Sequence, residues 1–282
     1  MDYQLLDSGN GRRLERFGKY ILNRPDPEAL WQQTLDNSEW EKADAEFVRT
    51  YEDKGKWVTK KDFPEKWTIT HGDLKLILKL SPFKHTGIFP EQEFEWVLID
   101  KLVSKAVKEE GRETNILNLF GYTGVASLSA LAAGAKITHV DASRPAITWF
   151  KDNQKESGLE DKPARIIIDD AIKFTAREIK RGVKYDGIMM DPPVYGHGPN
   201  GEKWSFNKDF PILLDNVIKL LSDNPLFVIV NAYAISSSPT SIANIMQDKL
   251  KEYKGKISSG ELSLSESNGR VLSTGIYAIF QK

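Results

Sequence analysis

Cysteine is absent from the 282 residues of this chain, and only four histidines are present. The first absence excludes disulfides, thiolate-ligated zinc, iron–sulfur clusters and any thiolate nucleophile. No H-E-x-x-H spacing occurs, so no metal site is expected. Neither a G-x-S-x-G elbow nor a Walker A loop is present, and the glycine turn at Gly121 and Gly124 is spaced G-x-x-G, not G-x-G-x-x-G. No apolar run approaches the ~18 residues of a membrane span, and Met1–Asn10 holds no apolar signal segment. A cytoplasmic protein without membrane attachment is the expectation. The formal net charge of −1 supplies no global basic field, which weakens a nucleic-acid partner without removing it, because a local patch suffices.

What is present is an ordinary globular composition, 40% hydrophobic and 28% charged, long enough to bury about three quarters of its unfolded surface. Residues 1–80 read as a small antiparallel β-rich module with possible substrate contact. Tyr3–Asp7 and Arg13–Phe17 flank Ser8-Gly9-Asn10-Gly11, a hairpin turn in which Asn and Gly tolerate positive φ. Further hairpins are expected at Phe47–Tyr51 with Lys56–Thr59, around Glu52-Asp53-Lys54-Gly55, and at Trp67–Thr70 with Leu74–Leu80. Pro27–Leu35 is expected to form a short helix. Arg12–Arg24 and Lys54–Lys66 are locally basic, either as solvated faces or as RNA contacts.

Residues 81–282 read as one α/β domain. Glu91–Glu109 is expected to be a helix with its apolar face at Phe94, Val97, Leu98, Leu102 and Val107. Near-continuous apolar strands follow at Asn115–Phe120, Ile137–Asp141, Arg165–Asp169, Gly187–Asp191 and Phe227–Ala232, alternating with helices. That alternation implies a parallel sheet covered on both faces. Gly260–Ser267 and Val271–Phe280, joined at Asn268-Gly269, add a terminal antiparallel hairpin, whereas a dinucleotide oxidoreductase would continue in parallel.

Ligands of such sheets sit at the carboxyl ends of strands near the switch point. Gly121 and Gly124 lie there, where glycine lets backbone turn and approach a ligand. Asp141 ends the second strand, 20 residues after Gly121, where a carboxylate can accept both ribose hydroxyls. Asp169 and Asp170 end the third, and either could accept from an adenine amine or simply cap a helix. Asp191-Pro192-Pro193-Val194-Tyr195 ends the fourth. Its prolines have no N–H, so carbonyls and a carboxylate form an acceptor-rich site for an amine or ring N–H. Tyr195, Trp204 or Phe206 could stack on a base, with Gly196–Gly201 as a mobile loop. Thr86 and Gly87, in a Gly- and Pro-punctuated connector, could close the back of a cofactor pocket or belong to a linker.

His85-Thr86-Gly87-Ile88-Phe89-Pro90-Glu91-Gln92, Asn118-Leu119-Phe120-Gly121-Tyr122-Thr123-Gly124, Val140-Asp141-Ala142-Ser143, Asp169-Asp170-Ala171 and Asp191-Pro192-Pro193 together resemble the S-adenosylmethionine-dependent methyltransferases of 23S ribosomal RNA. Within that family the chain is similar to the branch of large-subunit cytosine-C5 and guanine-N7 enzymes, over about residues 80–282, with Tyr3–Phe17 also familiar. The resemblance implies a Rossmann-like class I seven-stranded sheet, S-adenosylmethionine as donor, S-adenosylhomocysteine as product and ribosomal RNA as acceptor. It implies that Phe120, Gly121, Thr123 and Gly124 line the methionine and ribose side of the cofactor. Asn118, Tyr122, Ala142, Ser143 and Ala171 count among the cofactor contacts. Asp141 would hold the ribose, Asp169 or Asp170 the adenine, and Asp191, Pro192, Pro193 and Tyr195 the target base.

One departure selects the reaction. Cytosine-C5 transfer needs a thiolate to add to the ring, and this chain has none. Transfer to a base nitrogen needs only alignment and a polarised site, so N-methylation is the expectation. The PUA-type domain usual in the C5 branch is not evident either. A protein or small-molecule acceptor, or a cofactor-binding module without catalysis, are the alternatives.

Overall fold

The computed structural model describes residues 1–49 and 55–282. They form two compact units, one of residues 1–93 and 263–274, the other of residues 94–262 and 275–282.

The first unit holds a five-stranded sheet in the order β1 (Tyr3–Gly9), β2 (Arg12–Phe17), β3 (Tyr20–Pro25), β4 (Ala45–Arg49) and β5 (Gly55–Thr59). Asn10 and Gly11 turn β1 into β2 at φ 52° and 71°, as the Asn-Gly signal requires. The sheet is antiparallel except at β3–β4, which pair in parallel through Leu22 with Ala45 and Asn23 with Glu46. The connection at Glu52-Asp53-Lys54 and the end of the expected Phe47–Tyr51 strand lie outside the described residues. A separate hairpin follows, β6 (Trp67–His71) and β7 (Leu74–Leu78).

Pro27–Leu35 is not helical, contrary to the sequence expectation; the one helical turn here is α1 (Asn37–Trp40). The reason is the carboxylate of Asp7, which is fully buried and accepts from Thr34 N (3.0 Å), Leu35 N (2.9 Å) and the Trp40 indole (3.0 Å). Asn10 N and Gly11 N donate to the carbonyls of Trp31 and Ala29. Backbone groups that a helix would pair internally are thereby paired across to β1 and its turn. Residues 263–274 complete the unit: Glu266 accepts from the Ser8 hydroxyl, Arg270 donates to the carbonyls of Ser8 and Gln32, and Leu264 and Leu272 pack with Leu5 and Ala29.

β3 is hidden in the sequence by its polar centre. Arg24 is buried and grips Glu15 of β2 through two bonds of 2.6 and 2.7 Å, while Tyr3 donates to the same carboxylate and Arg13 pairs with it at 3.2 Å. Burial opposes the charge on Glu15, but Arg13 and Arg24 outweigh it and hold the carboxyl below its usual range. Removing the acid would leave the buried Arg24 guanidinium without a carboxylate and Arg13 with Asp26 alone. Glu15→Ala is expected to destabilise this unit by about 3–5 kcal/mol, read as a lower urea midpoint by tryptophan fluorescence; a midpoint equal to the parent's would show that the arginines find water instead.

The second unit opens with α2 (Glu93–Ser104), followed by a π-helical turn, Lys105–Glu109. Its buried face is Trp96, Ile99 and Val103, continued by Ala106, not the expected one: Phe94 and Val97 are 43% and 54% exposed. The helix is apolar on several sides, so spacing alone does not select a face, and burying the largest ring, Trp96, does.

The strands are β8 (Asn115–Leu119), β9 (Lys136–Asp141), β10 (Ala164–Ile168), β11 (Gly187–Met190), the short pair β12 (Tyr195–His197) and β13 (Lys203–Ser205), then β14 (Phe227–Ala232), β15 (Lys256–Ser265) and β16 (Val271–Gln281). The helices between them are α3 (Val125–Ala133), α4 (Arg144–Glu156), α5 (Ala171–Lys180), α6 (Phe206–Leu220) and α7 (Pro239–Leu250). The seven-stranded sheet runs β10-β9-β8-β11-β14-β16-β15, parallel through β14, with β16 antiparallel to it. The chain winds one way from β8 to β10 and the other from β11 to β14. The switch point therefore lies between β8 and β11, and their carboxyl ends carry Phe120–Gly124 and Asp191–Tyr195.

Candidate active site

The turn after β8 is held in an unusual backbone. Phe120 and Tyr122 sit in the left-handed region at φ 57° and 50°, and Gly124 at φ 85°. Each non-glycine residue there carries strain of order 1–3 kcal/mol, which the surroundings must overcome. Gly121 N donates to Val140 O at 3.0 Å, Gly124 N to Gly121 O at 2.9 Å, and Tyr122 N to Asp141 Oδ2 at 2.8 Å. Thr123 is buried, its carbonyl accepting from the Asn153 amide at 3.0 Å.

The two glycines have a reason other than ligand approach. A Cβ on Gly121 would come within 2.3 Å of the His139 ring, and one on Gly124 within 2.0 Å of the Phe150 ring. Those rings stack face to face at 4.0 Å. His139 is fully buried, bonded through Nδ1 to the Ser127 hydroxyl at 2.9 Å, which in turn accepts from the Asn118 amide. The Asn118 side chain thus braces β8 against α3.

The strand-end aspartates divide into different tasks. Asp141 accepts Tyr122 N on one oxygen and Ser143 N on the other, both at 2.8 Å, and each oxygen keeps a further lone pair. Burial raises its pKa above the usual value, against those two backbone donors. Ala142 follows, and Ser143 caps α4 by accepting from Ala146 N. Asp170 caps α5, accepting Lys173 N at 2.9 Å just before Ala171. Asp169 accepts Asp170 N and pairs with Arg177.

After β11, Asp191 is half-buried, Pro192 buried and Pro193 exposed. Trp204 and Phe206, expected as stacking partners for a base, are instead buried at 6% and 3% exposure. Trp204 donates its indole N–H to Pro193 O at 2.6 Å, and Phe206 N donates to Val194 O at 2.9 Å. Tyr195 is the aromatic left outside, 76% exposed. The stretch expected as a mobile loop is the β12–β13 hairpin, with Gly196 opposite Trp204 and Glu202 pairing with Lys173 at 2.6 Å. Thr86 and Gly87 lie in the first unit, Thr86 fully buried with its carbonyl accepting Lys79 N, and Gly87 at φ 106°.

Sequence reasoning misses Asn231. Val230 pairs with Met190, so Asn231 stands one step further along, level with Asp191. Its amide donates to the buried carboxylate of Glu95 at 2.7 Å. The signal is there: a polar residue ends the otherwise apolar run Phe227–Val230.

A doubly wound sheet of this strand order with a terminal antiparallel hairpin, and a carboxylate beside the glycine turn, defines a class I group-transfer fold. Residues 47–241 match the family model of S-adenosylmethionine-dependent methyltransferases, and the chain belongs to that family; it is an enzyme that takes its methyl group from S-adenosylmethionine. A crystal structure of an S-adenosylmethionine-dependent methyltransferase from Agrobacterium tumefaciens is 40% identical, with a TM-score of 0.95 over 100% of this chain and 90% of that one. A methyltransferase solved with S-adenosylhomocysteine shares the fold at a TM-score of 0.71 and 18% identity, over 99% of this chain and 75% of that one. Ribosomal RNA large subunit methyltransferase K/L of Shewanella frigidimarina is 32% identical over 159 residues, 56% of this chain and 21% of that protein. The chain thus spans about a fifth of the length of such curated relatives.

Burial holds the His139 pKa down to about 3. Below about pH 6.5 the unfolded chain takes up a proton that the native imidazole refuses, so the stability this residue contributes is lost as pH falls towards 3, by up to ~1.4 kcal/mol per pH unit. The urea midpoint of the second unit is expected to fall between pH 7 and pH 5, and His139→Gln to flatten that fall; equal slopes would contradict the assignment.

Proposed function

We propose that this enzyme methylates a base nitrogen in ribosomal RNA. The observation that carries the reading is the acceptor set at the end of β11 in a chain without cysteine. A half-buried Asp191 carboxylate stands beside two prolines that have no N–H to offer. Such a set receives N–H groups of a planar base and orients the nitrogen's lone pair. The RNA acceptor is favoured by the likeness to the ribosomal RNA large subunit methyltransferases, and it would place the protein's work in the cytoplasm.

The chemistry at the turn after β8 suits the donor. Asp141 would accept the ribose hydroxyls on its remaining lone pairs, with Ala142 and Ser143 behind it. Asp169 or Asp170 would receive the adenine amine: Asp170 spends one oxygen capping α5, and Asp169 accepts Asp170 N and pairs with Arg177. Phe120, Gly121, Tyr122, Thr123 and Gly124 would line the methionine side. S-adenosylmethionine, when bound, supplies a methyl group activated by its sulfonium. Asp191 and the Pro192 carbonyl hold the base, Tyr195 stacks on its face, and the Asp191 carboxylate takes up the proton that an N–H nitrogen sheds as it gains the methyl. Residues 1–80 form the module proposed to contact the acceptor.

Asp191→Ala is expected to lower kcat at least about a hundredfold with S-adenosylmethionine affinity unchanged by calorimetry. Asp141→Ala is expected to weaken that affinity about tenfold or more, by losing charge-assisted bonds. Tritiated methyl transfer to unmodified ribosomal RNA reads the first effect; no transfer by the parent enzyme would refute the RNA acceptor, and loss of cofactor binding in the Asp191 variant would refute the assigned division of labour.

A further inference from the structure

Trp204 touches both ends of the site, although it lies on the hairpin beyond it. Its ring meets Phe120 edge-on, with centroids 5.1 Å apart at 62°. Phe120 is the first left-handed residue of the cofactor turn, at φ 57°. The Trp204 indole N–H meanwhile occupies the carbonyl of Pro193 at 2.6 Å. The hairpin cannot slide away from this contact easily. Phe206 N is tied to Val194 O, and Ser205 N to Asp209 Oδ2 at 2.7 Å. A Cβ on Gly196 would lie 3.1 Å from Pro193, so the hairpin rests on the proline itself.

We infer that Trp204 is a positioning residue that sets the register between donor and acceptor. One side chain braces the strained turn that follows β8 and fixes the proline loop that follows β11. Tyr122, the other aromatic residue of that turn, packs on Trp149 of α4, with ring centroids 6.0 Å apart. Direct transfer needs the nitrogen in line with the carbon–sulfur bond, so an error near 1 Å in either loop reduces rate about a hundredfold. The inference rests on the site assignment proposed above.

Two substitutions separate the two contacts. Trp204→Phe keeps an aromatic edge for Phe120 and removes the N–H; Trp204→Leu removes both. Calorimetry with S-adenosylmethionine alone, and kcat and KM for methyl transfer to ribosomal RNA, are measured for each. Trp204→Phe is expected to bind the cofactor within about twofold of the parent while kcat falls about tenfold. Trp204→Leu is expected to lose about tenfold in cofactor affinity as well. A parent-like kcat in the Phe variant would overturn the Pro193 role. Equal cofactor affinity in both variants would overturn the Phe120 role, and an equal fall of affinity and kcat in both would reduce Trp204 to packing. If the parent transfers no methyl to RNA, the acceptor reading fails, and the calorimetric contrast between the two variants still decides the Phe120 contact.

Discussion

The ring of Phe150 lies where a β-carbon on residue 124 would stand, and the His139 ring does the same for residue 121. This stacked pair, packed under the turn after β8, is the constraint on which the rest of the site depends. It leaves no room for a side chain at 121 or 124, in the turn where Phe120 and Tyr122 take a backbone that side chains rarely adopt. The strain is met locally. Asp141 accepts Tyr122 N, and the same carboxylate accepts Ser143 N at the start of α4, so one acid ties together two strand ends. A half-buried carboxylate that satisfies backbone donors on both oxygens is rigid, and a rigid acceptor loses little freedom when it takes further hydrogen bonds.

The parts of the fold that follow from hydrophobic continuity are legible in the amino-acid order alone. The apolar runs that form β8, β9, β11 and β14 read as buried strands, that of β10 forms a half-buried edge strand, and the Asn268-Gly269 pair announces the closing hairpin. Legibility fails where a single polar contact outranks pattern. Asp7 unwinds the expected helix at Pro27–Leu35 by claiming its N–H groups, and the Glu15–Arg24 pair conceals β3 inside a charged stretch. Helix α2 fails differently: several faces are apolar, and only packing can choose among them.

The site is legible as a set of positions and less so as a set of roles. Gly121 and Gly124 stand out, but the His139 and Phe150 rings that exclude a side chain there carry no signal in the sequence. Ser143 and Asp170 share a strand-end position with Asp141 and Asp169 and spend their side chains as helix caps. Trp204 carries no motif at all; its significance comes from two contacts to residues 84 and 11 positions away, one ring and one carbonyl. Long-range partners of this kind leave no periodicity to read.

The first unit draws strands from near residue 5 and a hairpin tip from near residue 266, joined where Ser8 meets Glu266 across a separation of 258 residues. Closing so long a loop costs entropy that local hairpins do not. A chain emerging from its own synthesis can form β1 to β7 early, but it leaves the edge of β1 and the side chains of Leu5 and Ala29 without their final cover until the whole of the second unit has been made. The N-terminal sheet is thus the first part to be synthesised and the last to be completed, and its edge stays open for the time between.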